Sequence, residues 1–123
     1  MKTKSYKDLI VWQKAIELVM TVYELTSKFP KSETYGLTSQ IRRAAVSIAS
    51  NIAEGYARQY RPEYIQFLSM AYGSCAELDT QLIIAQRLGY GVSNDYSRVL
   101  SLLEEVSKML NAMRKGLKEK PRR

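Results

Sequence analysis

Positive charge and aromatic rings alternate near the middle of the chain, where Tyr56, Tyr60 and Tyr64 are interleaved with Arg58 and Arg61. Guanidinium groups bind phosphate oxygens, and tyrosine rings offer flat faces on which unpaired bases stack. The pattern therefore predicts a surface that binds RNA or DNA. The alternative is that the tyrosines are buried at a subunit interface and the basic side chains only solvate the tail of the chain.

Groups able to act as nucleophiles, general bases or metal ligands are scarce. The sequence contains no histidine and a single cysteine, Cys75, on the apolar face of a predicted helix with no base to activate it. Glu54, Glu77 and Asp79 would suit a di-iron bundle, but such a site also needs Glu-x-x-His motifs. Glycines occur singly, so no phosphate-binding loop is indicated. We therefore predict a protein that is not an enzyme and holds no metal or cofactor.

Apolar residues recur at spacings of three and four along four segments, which is the pattern of amphipathic helices. We predict helices over about 6–29, 35–57, 62–88 and 94–117, followed by a basic tail over 118–123. Because the connections are short, residues 1–123 are expected to form one all-α domain, an antiparallel up-down-up-down four-helix bundle with left-handed packing. No apolar segment reaches the length of a transmembrane helix, so we expect a cytoplasmic protein without a membrane partner.

This topology brings the start of the first helix, the connection between the second and third, and the end of the fourth to one end of the bundle. The chain has a formal net charge of +7, and the charged residues predicted at this end account for all of it. The candidate nucleic-acid-binding residues there are Lys4, Lys7, Arg58, Arg61, Lys115 and Lys118. The other cations are Lys2, Arg114, Lys120, Arg122 and Arg123, and the anions are Asp8, Glu54, Glu63 and Glu119. Such an end is expected to attract phosphate groups.

The second and third helices are expected to form an antiparallel hairpin that turns near Tyr60. This register places Arg43 beside Glu77, and we interpret the two as a structural ion pair that fixes the register of the helices. It also places Ser47 beside Gly73, and we predict that a large residue at Ala44, Ser47 or Gly73 would overpack the seam. An active-site role for the charged pair is the alternative interpretation.

Six blocks of the sequence together resemble a known family. They are Asp8–Ala15, Phe29–Lys31, Tyr35–Leu37, Gln40–Ala44, Ser47–Gly55 and Gly73–Leu82. In this order they are similar to the 23S rRNA intervening-sequence proteins, a bacterial family of four-helix bundles, and the resemblance extends from about Tyr6 to Leu117. One departure is Ala49, where the family commonly has proline, so any kink that proline imposes on the second helix is expected to be weaker here.

The resemblance implies a homo-oligomer, specifically a pentameric barrel, because members of the family assemble in that way. Relatives of the family serve as accessory subunits of reverse transcriptases in diversity-generating retroelements, where a basic pentamer binds nucleic acid and the polymerase. The first hypothesis is therefore a homo-oligomer that binds RNA or DNA largely independently of sequence. The second hypothesis is an oligomeric assembly or adaptor protein that docks a protein partner, such as a reverse transcriptase, without binding nucleic acid.

Overall fold

The computed structural model describes residues 4–119, and the regular structure in this range is entirely helical. Two short 3-10 helices and four long α-helices follow one another along the chain. The 3-10 helices are Tyr6–Asp8 and Lys31–Glu33, and the α-helices are α1 (Ile10–Thr26), α2 (Leu37–Arg58), α3 (Arg61–Arg87) and α4 (Ser93–Glu119). The prediction of four helices in an all-α fold is confirmed. The first two residues of the predicted tail, 118 and 119, belong to the end of α4. Residues 120–123 and residues 1–3 lie outside the described range.

The largest difference from the predicted boundaries concerns the first helix, which is shorter at both ends. Ser5 caps a single 3-10 turn by accepting a hydrogen bond from the backbone N–H of Lys7 at 3.1 Å, and α1 begins only at Ile10. At the other end α1 stops at Thr26, and Pro30 leads into the second 3-10 helix. The spacing of Ser5 and Asp8, which suggested a helix start, closes this 3-10 turn instead of the first turn of α1.

Aliphatic side chains from all four α-helices form one continuous core. Leu18, Ile48, Leu78 and Val106 are among the fully buried members, one from each helix. These positions belong to the stripes with spacings of three and four, so each helix turns its apolar stripe toward the centre. Burial of such side chains contributes about 1.5 to 3 kcal/mol each and is the main source of stability.

Polar contacts between distant parts of the chain establish the antiparallel arrangement. They are Lys14–Glu105 at 3.6 Å, Lys28–Asp95 at 2.9 Å, Ser47–Ser74 at 3.0 Å, Ser69–Arg114 at 3.0 Å and Arg61–Leu117 at 3.4 Å. Arg42, early in α2, bonds Thr26 at the end of α1, and Asp95, early in α4, pairs with Lys28 just after α1. Early residues of α3 bond late residues of α4, while Ser47 and Ser74 join the middles of α2 and α3. Each helix also packs against the helices before and after it, and α1 packs against α4. The antiparallel bundle is thus confirmed, while its left-handed packing stays a prediction.

Of the two glycines in the α2–α3 hairpin, Gly55 and not Gly73 lies against the neighbouring helix. A Cβ atom added at Gly55 would lie 2.6 Å from the Cβ of Phe67 and 3.2 Å from Cδ1 of Tyr64, whereas at Gly73 nothing lies within 4 Å. Gly73 is exposed on the outer side of α3. The prediction that a larger residue at Gly73 would overpack the seam is therefore wrong for the single chain, and Gly55 is the position that needs glycine.

Candidate nucleic-acid interface

One end of the bundle carries the net positive charge of the described chain, and we call it the basic end. Arg61, at the start of α3, donates a hydrogen bond from Nη1 to the carbonyl oxygen of Leu117 near the end of α4 at 3.4 Å. Its described cations are Lys4, Lys7, Arg58, Arg61, Arg114, Lys115 and Lys118, and its anions are Asp8, Glu54, Glu63 and Glu119. Lys2, Lys120, Arg122 and Arg123, which supplied the rest of the predicted charge, lie outside the described residues.

The four lysines of the basic end are available to a ligand. Lys4, Lys7, Lys115 and Lys118 are all exposed, and none of the ion pairs found among residues 4–119 involves them. Lysine side chains in this state can contact phosphate oxygens without first breaking an ion pair within the protein. These four are the residues of the predicted site that the structure leaves accessible.

The two arginines of the predicted site are engaged with the bundle itself. Arg58 lies 3.2 Å from Glu54 and 4.0 Å from Glu63, and its guanidinium covers the ring of Phe67 at 5.1 Å. Arg61 is half-buried and bonds the last turns of α4, where unpaired carbonyl groups attract cations. We therefore assign both arginines mainly to holding the helix ends together.

The three tyrosines of this region differ in accessibility. Tyr56 and Tyr64 pack edge to face with ring centroids 6.0 Å apart, and burial raises the pKa of Tyr64. Tyr60 follows the left-handed residue Gln59 in the connection from α2 to α3, and its side chain is 58% exposed. Of the three, Tyr60 offers a ring face on which a base could stack. The other two belong largely to the packing between α2 and α3.

Arg43 and Glu77 do not form the predicted buried ion pair. Both side chains are exposed, and together they line a groove of about 430 Å³ between α2 and α3. At this level the seam between the helices is closed by Ser47 and Ser74, whose hydroxyl oxygens are 3.0 Å apart. Because Arg43 and Glu77 lie on the outer sides of α2 and α3, the two charged groups remain on the surface, and no ion pair within 4.0 Å joins them among the described residues.

A second group of cations and rings lies away from the basic end and was missed in the sequence. Tyr23, Tyr35, Arg42 and Arg43 line an open groove of about 570 Å³. Arg42 and Arg43 are adjacent in the sequence, but nothing in the chain near them indicated that two tyrosines would face the same groove. The signal that could have found the site is Tyr35, an aromatic residue immediately before a helix and outside every apolar stripe.

Potential metal ligands are not grouped in the described part of the chain. Within residues 4–119 there is no cluster of three or more cysteine, aspartate or glutamate side chains that could hold a metal ion. Cys75 is buried, and its burial raises the pKa of the thiol, which opposes formation of the reactive thiolate. In the same range, no helix is long and apolar enough to cross a membrane.

A protein-family model and a solved structure are similar to this chain. The model of a family described as 23S rRNA-intervening sequence protein matches residues 7–112. No curated protein sequence matches the chain significantly. A crystal structure at 1.70 Å resolution, of a protein of unknown function from the S23 ribosomal protein family of Bacteroides thetaiotaomicron VPI-5482, is similar with a TM-score of 0.77. The two sequences are 24% identical over 86% of this chain and 99% of that chain, so this similarity concerns the fold.

Proposed function

Because the chain belongs to the 23S rRNA-intervening sequence protein family, we propose that it is a non-enzymatic, homo-oligomeric protein of the cytoplasm that binds RNA or DNA. The observation that carries the proposal is the set of four exposed lysines at the basic end, none of them paired with a described carboxylate. Binding is largely independent of sequence, because lysines contact the phosphate backbone that all sequences share.

The geometry of the basic end favours a long polyanion over a small anion. Lys4 and Lys7 flank the first 3-10 helix, while Lys115 and Lys118 lie on the last turns of α4. Lysines spread over two separate elements suit a chain of phosphates better than a single phosphate group. A chain of phosphates can contact several of them at once and release a counterion at each contact.

Self-association has separate support in the apolar side chains that the single chain leaves at its surface. Met20 is 66% exposed, Ile10 58% and Leu88 56%. Large exposed apolar groups are typical of surfaces that become buried in an assembly. A pentamer is the assembly that the resemblance implies, and multi-angle light scattering of the purified protein measures the number of subunits directly.

The test compares two lysines of the same helix. Lys118→Gln removes an unpaired charge at the basic end, and Lys108→Gln removes a charge that Glu104 already neutralises at 3.0 Å. In a salt titration on duplex nucleic acid, we expect Lys118→Gln to weaken binding and reduce the log–log salt slope by about 0.9 for the lost contact. Lys108→Gln is expected to leave both unchanged. Equal effects of the two variants would remove the basic end as the binding site.

The second candidate function is an adaptor that docks a protein partner, such as a reverse transcriptase, and does not bind nucleic acid. The exposed apolar residues Ile83 and Ile84 on α3 favour it, because they suit a protein contact better than a phosphate contact. Absence of any salt-dependent binding to RNA or DNA by the wild-type oligomer would favour this function.

A further inference from the structure

An open groove lies between the later part of α1 and the first turns of α2, away from the basic end. Its volume is about 570 Å³, which falls in the range of small-molecule sites. Two arginines, Arg42 and Arg43, line it together with the rings of Tyr23 and Tyr35. Most of the remaining lining residues carry hydroxyl groups, and none of the lining residues is an aspartate or glutamate. The lining of this groove is therefore cationic and aromatic, and Arg43 also lines the adjoining groove together with Glu77.

The arginine nearest α1 is held in position by contacts that leave its charge uncompensated. The guanidinium carbon of Arg42 lies 4.3 Å from the centre of the Tyr23 ring, and its Nε donates a hydrogen bond to Oγ1 of Thr26 at 2.8 Å. Neither Arg42 nor Arg43 takes part in an ion pair within residues 4–119. Guanidinium groups fixed in this way can bind phosphate oxygens with little loss of side-chain freedom.

Tyr35, which also lines the groove, has an exposed ring on a backbone segment that is anchored to the bundle. Its side chain is 97% exposed, so its ring makes almost no contact with the bundle. The backbone on either side is held by Glu33, whose carboxylate accepts hydrogen bonds from the N–H of Leu37 at 3.0 Å and the hydroxyl of Tyr90 at 2.9 Å. An exposed ring on an anchored segment is suited to stacking, because the loop need not be ordered when a ligand binds.

We propose that this groove binds an unpaired segment of nucleic acid, with a base stacked on Tyr35 and the adjoining phosphates held by Arg42 and Arg43. The proposal rests on the proposed function, to which it adds a second contact and a preference for single strands. Phosphates supply the negative charge that the groove lacks, and a base supplies a flat face for the exposed ring. An apolar protein segment would satisfy neither arginine, so the lining favours nucleic acid over an apolar protein segment.

The first experiment measures the affinity of the full-length oligomer for a single-stranded oligouridylate by fluorescence anisotropy. Tyr35→Ala is expected to weaken binding about five- to a hundred-fold, the range for loss of one base–aromatic stack, whereas Tyr35→Phe keeps the ring and the affinity. Because Tyr35 is 97% exposed, neither substitution removes a packing contact from the fold. Affinity of Tyr35→Ala equal to that of the wild type would overturn the proposal.

The second experiment tests the arginines through the dependence on salt. Arg43→Gln is expected to reduce the log–log slope for the same oligouridylate by about 0.7 for each lost phosphate contact. Arg98→Gln is the control, because Arg98 is an exposed arginine on α4 and does not line the groove. Equal slopes for the two variants would contradict a phosphate contact at Arg43.

Two further outcomes separate the possible failures. If Tyr35→Ala dissociates the oligomer in light scattering, the groove is a contact between subunits and the proposal is overturned. If Lys118→Gln weakens binding while Tyr35→Ala and Arg43→Gln do not, the basic end binds nucleic acid and the groove does not. If the wild-type oligomer binds no oligouridylate and no duplex, the proposed function fails together with this inference.

Discussion

Alanine substitutions at two glycines of the α2–α3 hairpin can be compared with each other. The comparison separates the free-energy cost of close packing from the general preference of alanine over glycine in a helix. Gly55 lies inside α2 and Gly73 inside α3, so replacement of either by alanine stabilises the helical backbone by about 0.5 to 1 kcal/mol. This contribution is common to the two variants. The difference between Gly55→Ala and Gly73→Ala therefore measures what the new methyl group contacts.

The contacts differ sharply between the two positions. A methyl group at Gly55 would lie 2.6 Å from the Cβ of Phe67, whereas a methyl group at Gly73 would meet nothing within 4 Å. Rotation of the phenylalanine side chain cannot move its own Cβ, so the two helices must shift apart. Overpacking of this kind costs about 1 to 3 kcal/mol, and we expect Gly55→Ala to be less stable than Gly73→Ala by that amount.

The assay is equilibrium unfolding in urea, followed by far-ultraviolet circular dichroism at several protein concentrations. Measurements at matched concentrations are needed because self-association makes the midpoint depend on concentration. Gly73→Ala is expected to unfold at a higher urea concentration than the wild type, and Gly55→Ala at a lower one than Gly73→Ala. Equal stabilities of the two variants would refute the close approach at Gly55. A loss of oligomer in Gly73→Ala would instead place that exposed face in a subunit contact.

Three further predictions concern single side chains. The pKa of Glu33 is lowered by hydrogen bonds from the backbone N–H of Leu37 and the hydroxyl of Tyr90, so its stabilising effect is present above pH 4.5 and lost on further acidification. The stability difference between wild type and Glu33→Gln in urea should therefore shrink below that pH, and a constant difference would contradict it. Tyr96 donates a hydrogen bond to the carbonyl oxygen of Tyr90 at 2.8 Å, and burial raises its pKa to about 12. Tyr96→Phe should cost about 0.5 to 1.5 kcal/mol at neutral pH, and it should lose less stability than the wild type as the pH rises above 10. Buried Cys75 should react with Ellman's reagent only as fast as the protein opens, and rapid labelling of the native protein would contradict its burial.

The helices and the core were predictable because burial imposes a period on the sequence. Ile48, Leu78 and Val106 occur in stripes that recur every three or four residues, and all three are buried. The boundaries of α1 were less predictable. Ser5 and Asp8 form a local 3-10 turn, whose hydrogen bonds compete with those of an α-helix over the same few residues.

The candidate sites were less predictable because side-chain partners depend on three-dimensional distances. Arg43 and Glu77 were correctly placed along the same seam, yet sequence register alone could not show that both side chains lie exposed on the outside of that seam. The exposure of Tyr35 was equally hidden, since it depends on where the second 3-10 helix ends and α2 begins. Contacts across a connection between helices do not produce a periodic pattern in the sequence, so periodicity could not predict them.

At the basic end, the arginines hold the helix ends together, and the lysines are left to contact phosphate. Arginine has a planar group with several donors and suits fixed contacts, whereas lysine is strongly hydrated and remains free at the surface. Arg114 follows this rule, because it donates to Ser69 at 3.0 Å and covers the ring of Tyr72 at 4.8 Å. Charge reversal at Arg58 would likewise break a contact with Glu54 and disturb the helix ends, so a loss of binding there would be ambiguous. Substitution of the free lysines tests phosphate binding without that ambiguity.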